Sequence, residues 1–216
     1  MTMLCKPTNC FQESKFNKVN INIDKKHPFC VVKTIINRYG ANILFELSEY
    51  TYKKQALEDN RHTFSITGKE MKKNRIENII AHLPNDTELA LHSKVMTNKG
   101  IIYHIPMMDL VGELEANSIQ LMKQLIPNKI FKQFLFFKSG SSYHLYSTEL
   151  ITSKEWVEFM GRILLLNLPD KKPIVDSRWV GHRLLSGYSS LRWSCNTNKY
   201  KIIPTLINNF SFDLNL

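Results

Sequence analysis

Two hydrophobic periods alternate along the chain. From residue 31 to 58 apolar positions recur at helical spacing, with a break at Gly40, and Ile43, Leu44, Leu47 and Tyr50 fall on one helical face. Thr67-Gly-Lys-Glu70 has the form of a capping box, because the Thr hydroxyl can satisfy an orphan N–H while Glu70 reaches back. It predicts a helix that buries Met71, Ile76, Ile79, Ile80 and Leu83 and ends before Pro84. From Glu88 the period drops to two. Residues 88–96 and 101–109 read as strands about the turn Thr97-Asn98-Lys99-Gly100. A helix follows over 113–125, with Leu114, Leu121, Met122 and Leu125 on its buried side. Residues 130–138 read as an aromatic strand, Ser139-Gly140-Ser141 as a turn and 142–147 as its hairpin partner. Thr152 and Glu155 form a second capping box, opening a helix to Asn167 that buries Trp156, Phe159, Ile163 and Leu166. After the loop Pro169–Pro173, Ile174-Val175-Asp176 starts another strand.

Residues 101–176 thus read β-α-β-β-α-β, the ferredoxin-like or RRM-like order. The expected fold class is α+β: an antiparallel sheet with both helices on one face and the other face free for a ligand or a second layer. The chain is expected to be one domain over 1–216. Residues 1–98 would be an N-terminal α/β extension, polar and irregular over the first thirty, and 99–216 the core with its C-terminal segment.

Composition narrows the function classes. The chain has 216 residues, 43% of them apolar, enough for a real core. No apolar run approaches the roughly 18 residues of a membrane helix. Met1–Pro7 carries no long hydrophobic stretch, so no secretory signal is visible and a cytoplasmic protein is expected. Lys and Arg number 29 against 19 Asp and Glu, a net charge of +10 that favours a polyanionic partner. The excess is concentrated: Lys171, Lys172, Arg178, Arg183, Arg192, Lys199 and Lys201 face one acid, Asp176, in a short segment. The four cysteines are too few for a disulfide scaffold. Cys5, Cys10, His27 and Cys30 include no paired knuckle, so scattered reduced cysteines are expected rather than zinc.

Three stretches carry candidate chemistry. In the first, an apolar strand ends on Asp109, just before a helix start. A carboxylate there suits a divalent metal or matches the helix macrodipole. In the second, alternation puts Ser142, His144 and Tyr146 on one strand face beside a Gly/Ser turn. Hydroxyl, imidazole and exposed backbone N–H groups there can hold phosphate, or form an ordinary hairpin with a surface histidine. No Gly-x-Ser-x-Gly elbow accompanies them, which argues against a hydrolase triad. In the third, Asp176 is followed by Arg178, Arg183 and Arg192, with Trp179, Tyr188 and Trp193 interleaved. Arginine forks suit triphosphate oxygens and the aromatics suit bases; a basic loop with buried tryptophans is the other reading.

The ordered set, an acid at a strand end, Ser-x-His on a hairpin and apolar-Asp before Arg-rich sequence, resembles the archaeo-eukaryotic primase superfamily over about 90–195. The resemblance implies that Asp109 and Asp176 hold Mg or Mn, that Ser142 and His144 bind nucleotide phosphate, and that Arg183 and Arg192 are basic nucleotide contacts. It makes Asp109, Asp176 and His144 the expected catalytic residues, with Lys171, Lys172 and Arg178 contacting nucleic acid. The family's first motif usually carries two acids one residue apart. Here Val111 takes the second position, so the chain looks like the primase one-D-like branch. Glu113 lies two residues on, turned differently by a helix start.

The implied function is a primase- or polymerase-like nucleotidyltransferase, impaired if the missing acid is not replaced. The alternative is a non-catalytic nucleotide or nucleic-acid binder on the same fold. The implied partners are a nucleoside triphosphate, single-stranded DNA or RNA, and a helicase or another replication or defence subunit, with no membrane.

Overall fold

The computed structural model describes residues 23–53, 56, 60–200 and 202–207. Cys5 and Cys10 lie outside the described residues. The chain opens with helix α1 (Phe29–Tyr39), which buries Val31, Val32 and Ile35.

The predicted helix beyond Gly40 is instead strand β1 (Leu44–Tyr50). Ile43, Phe45 and Leu47 are buried at a spacing of two. Position 44 made the same residues fit a helical template as well, and pairing on both edges decides between them. β1 lies between β2 (Arg61–Thr67) and β3 (Glu88–Met96), antiparallel to both. β2 is an edge strand that buries only Ile66, and its apolar alternation is limited to Phe64 and Ile66.

The first capping box is also corrected. Thr67 and Glu70 exchange the expected hydrogen bonds, Glu70 N to Thr67 Oγ1 at 3.4 Å and Thr67 N to Glu70 Oε2 at 3.2 Å. Yet helix α2 (Lys73–Ala81) starts later, with extended Lys72 at its N-cap. The box instead fastens a turn to the start of β1: Gly68 N donates to Ile43 O at 2.8 Å. A Cβ at Gly68 would sit 2.9 Å from Ala41 O, so this close approach needs glycine.

The strand expected over 101–109 is split. β4 (Ile102–His104) pairs with β3, and β5 (Met107–Asp109) belongs to a second sheet. The chain changes sheets at Ile105-Pro106, where proline has no N–H to offer a ladder. Helix α3 (Ala116–Leu125) follows, then the short α4 (Asn128–Phe131), which takes the start of the expected aromatic strand. That strand is β6 (Phe134–Lys138), and its hairpin partner is β7 (Tyr143–Ser147). After β8 (Ile151–Thr152), Thr152 and Glu155 complete a reciprocal capping box on α5 (Ser153–Leu164), as expected. Trp156, Phe159, Ile163 and Leu166 are buried.

Residues 174–176 form only a bridge, Leu110 with Val175. The Asn167 amide holds them there: its Oδ1 accepts from Ile174 N and Val175 N, and its Nδ2 donates to Val175 O. Helix α6 (Ser177–Ser186), β9 (Ser190–Arg192) and β10 (Thr205–Leu206) complete the chain.

The first sheet runs β2-β1-β3-β4-β8, with β9 also on β3. It takes strands from both sides of residue 98. The second runs β10-β6-β7-β5 and is prolonged by the bridge to Val175. Strands 134–138, 143–147, 107–109 and the 175 bridge lie in the spatial order of a ferredoxin-like sheet, and the fold class is α+β as expected. Alternation divides that sheet. Met108, Leu145 and Phe136 pack with Trp156, Phe159 and Val180 under α3, α5 and α6. Met107, Phe137 and Tyr146 face the other way and join the core of the first sheet. Of the two expectations for that face, a ligand or a second layer, the second holds over most of it: the N-terminal α/β material packs there.

Candidate nucleotide site

Register brings the acids and the histidine together. Asp109 on β5 pairs directly with His144 on β7, and Asp176 N donates to Asp109 O at 3.1 Å. Three residues distant in sequence thus form one row across the second sheet, at its uncovered end. A cavity of about 630 Å³ opens over them. Asp109, Ser142, His144, Asp176, Arg178, Arg183 and Arg192 all line it. Lys171 and Lys172 do not; they are exposed on the loop before α6.

Each side chain has a second structural duty. Asp176 is the N-cap of α6, its Oδ1 accepting from Arg178 N at 2.9 Å and Trp179 N at 3.0 Å. Its other oxygen accepts no hydrogen bond among the described residues. Asp109 is 27% exposed at the cavity floor. Burial, then the charge of Asp176, pushes its carboxyl up to about 7. Two carboxylates facing one space with that mutual repulsion fit a hard cation.

His144 is held neutral: burial, then Arg192, pulls its imidazole down to about 3. Its Nε2 lies 2.9 Å from Ser139 Oγ and 3.7 Å from Asp109 Oδ1, while the buried Nδ1 has no partner among the described residues. We assign the proton to Nε2, which donates to Ser139 and faces the acid. Arg192 Nη2 donates to the same Ser139 hydroxyl at 3.1 Å. Gly140, at φ 95°, turns the chain so that Ser139 folds back over the strand end. Ser142 borders the cavity, and its carbonyl accepts from Ser139 N at 2.9 Å.

Arg192 is 4% exposed. Its guanidinium donates to the carbonyls of Ser194 and Ile202 and to Ser139, and no carboxylate among the described residues forms an ion pair with it. A buried cation held by neutral acceptors is costly, and an anionic ligand would offset that cost. Arg183 donates to Ser190 Oγ at 2.6 Å, and Arg178 to Ala56 O at 3.0 Å.

Among the described residues no group of three or more His, Cys, Asp or Glu side chains is placed to share one ion. Glu113 does not line the cavity. Its carboxylate accepts from Lys138 Nζ at 2.8 Å and Tyr143 Oη at 2.7 Å, outside the cavity wall. Val111 is also off that wall and 42% exposed. Two carboxylates on one cavity wall are hard oxygen donors of the kind a divalent cation takes, fewer than would enclose it alone.

Sequence reasoning missed the wall that Tyr50, Tyr52, Arg61 and Tyr200 contribute, and it placed Ser139 in the Gly/Ser turn without a side-chain role. Arg61 lies 4.2 Å over the Tyr50 ring and donates to Ser48 Oγ at 3.2 Å. Only the polarity of β2 hinted at this wall. Of the aromatics expected to stack on bases, Trp193 is fully buried and Tyr188 lies against His92, ring centroids 4.2 Å apart. Trp179 is half-buried at the cavity wall, its indole N–H donating to Ser190 O.

No helix among the described residues is long and apolar enough to cross a membrane. Comparison with curated proteins and with solved structures returns no match for the chain. A family model, archaeo-eukaryotic primase 1D-like, matches residues 67–205, which include every residue of the acid–histidine row. The chain belongs to the archaeo-eukaryotic primase 1D-like family.

Proposed function

We propose that the cavity binds a nucleoside triphosphate with one Mg²⁺ or Mn²⁺ and serves nucleotide addition to a nucleic-acid end. The observation that carries this reading is the row His144–Asp109–Asp176 in one cavity with buried Arg192. Asp109 and the second oxygen of Asp176 hold the cation, which offsets phosphate charge when bound. His144 exchanges its Nε2–H bond to Ser139 for one to a phosphate oxygen when the triphosphate is bound. Arg192 neutralises the triphosphate, and Arg183 borders it. The strand's 3′-hydroxyl gives its proton to solvent as its oxygen bonds to the α-phosphorus, while the bond from the α-phosphorus to the bridging oxygen breaks and pyrophosphate leaves with that oxygen. Lys171 and Lys172, outside the cavity, would contact the strand's phosphates.

A second reading, a nucleotide binder without catalysis, draws on the engaged carboxylate of Glu113 and on the position of Val111. One experiment separates the two. Manganese stoichiometry, nucleoside triphosphate affinity and primer extension are measured for wild type, Asp109→Asn and Asp176→Asn. One bound Mn²⁺, nucleotide binding and extension, all lost in both variants, support the enzyme. Binding that depends on Asp109 without extension supports the binder. Nucleotide affinity unchanged in both variants rejects the site.

A further inference from the structure

The aromatic side chains that reach the cavity are not the ones interleaved with the arginines. Tyr52, just past β1, and Tyr200, just past Lys199, meet at its wall with ring centroids 6.3 Å apart and planes at 74°. Tyr52 is 42% exposed. Cations alternate with these rings. Arg192 lies 3.9 Å from the Tyr200 centroid, Lys199 Nζ 5.2 Å from the same ring, and Lys199 also lies over Tyr52. A path of cation and aromatic thus runs from Ser139 at the floor, through Arg192 and Tyr200, to Tyr52.

The wall is built rather than loose. Buried Glu88 clamps the segment that carries Tyr200: its Oε1 accepts from Asn196 N, Thr197 N and Thr197 Oγ1 at 3.0, 2.9 and 2.8 Å, and its Oε2 from the Ser194 hydroxyl. Tyr52 comes from residues before the family match at 67–205, whereas Tyr200 falls within it.

We propose that Tyr52 and Tyr200 form a nucleobase-stacking subsite, with Arg192 and Lys199 holding the adjoining phosphates. Aromatic rings beside positive charge are what sequence-tolerant stacking of nucleotides needs; Tyr52 is exposed, Tyr200 is half-buried, and each carries a cation over its ring. The inference rests on the reading of the cavity as a nucleotide site and adds where the base goes. The base of a free nucleoside triphosphate and that of a single strand share this chemistry.

The test titrates four probes: a nucleoside triphosphate with Mn²⁺, inorganic tripolyphosphate with Mn²⁺, a short single-stranded oligonucleotide, and the same strand made abasic. The proteins are wild type, Tyr52→Leu, Tyr200→Leu, the two Phe variants and Asp109→Asn. Wild type binds a base-bearing probe more tightly than its base-free counterpart. Each Leu variant loses that preference, by roughly tenfold, and each Phe variant keeps it. Loss in the triphosphate pair assigns the subsite to the incoming nucleotide, and loss in the oligonucleotide pair assigns it to the strand. Tyr52 is exposed, so its variants test the idea even if Tyr200→Leu fails to fold. Base preference unchanged in Tyr52→Leu overturns the subsite, even if binding still needs Asp109. Base preference in the triphosphate pair that needs the tyrosines but not Asp109 overturns the metal-nucleotide reading and leaves the subsite standing. No binding of any probe by wild type overturns both.

Discussion

The amide of Asp176 donates to the carbonyl of Asp109 at 3.1 Å, so the two acids sit at neighbouring points of one β-bridge. Their separation is fixed by backbone hydrogen bonding, not by side-chain rotamers. The same Asp176 caps α6, which couples the acid pair to the helix that carries Arg178 and Arg183.

That double duty can be separated by mutation. Asparagine caps a helix about as well as aspartate, whereas alanine costs about 1 kcal/mol. Asp176→Asn should melt near the wild-type temperature and lose Mn²⁺ binding. Asp176→Ala should lose both stability and metal. Thermal unfolding and metal titration on the same samples check this. A stable Asn variant with full Mn²⁺ affinity would remove Asp176 from the metal site.

Ser139 receives both Arg192 and His144. Ser139→Ala removes the hydroxyl that holds the two donors in one place, so nucleotide affinity should fall several-fold, with little change in metal binding. Ser142→Ala, which removes a hydroxyl at the cavity edge, should have the smaller effect. Titration of a nucleoside triphosphate into both variants ranks them, and the reverse order would make Ser142 the phosphate contact.

Val111 lies outside the cavity wall and is 42% exposed. Val111→Asp should therefore be tolerated without loss of stability and should leave Mn²⁺ stoichiometry at one. A second Mn²⁺ bound by this variant would show that position 111 reaches the site after all.

Stability should fall with acid in a defined window. Buried His27 uses both ring nitrogens as the neutral form, Nε2 donating to Trp193 O at 2.8 Å and Nδ1 accepting from Phe29 N at 3.0 Å. Burial pulls its imidazole down to about 4, and does the same to His104. The unfolded chain takes up these protons first, near pH 6.5. The stabilisation is therefore present above about pH 6.5 and is lost as pH falls towards 4, by about 3 kcal/mol for His27. Urea unfolding at pH 7.5, 6 and 5 measures the slope. His27→Gln, which keeps a donor for Trp193 O, should make it shallower, and an unchanged slope would exonerate His27.

Local patterns were legible where one residue set served one purpose. Period two set β3 and β7, a capping box set the start of α5, and the strand-end acid and Ser-x-His pattern marked two residues, Asp109 and His144, that register places side by side. Reading failed where a pattern satisfied two templates or none. Ile43, Leu44 and Leu47 fit a helix and a strand alike, and polar β2 fit neither; only pairing on β3 decided them. Thr67 and Glu70 made the bonds of a helix start without the helix, because tertiary contacts with Ala41 and Ile43 claimed that turn.

Residue types and their order along the chain supply the available chemistry: two acids, a hydroxyl–histidine strand, a basic segment, and the order of elements that makes an α+β sheet. Tertiary structure decided which of these groups meet. Row adjacency depends on register between strands far apart in the chain, and period two says which face a residue takes, not which residue it faces. The N-terminal layer had to fold over the sheet before Tyr52 could meet Tyr200, and burial had to act before the Asp109 carboxyl could rise or the His144 imidazole fall. Those effects come from neighbours and exclusion of water, which no local stretch of sequence contains.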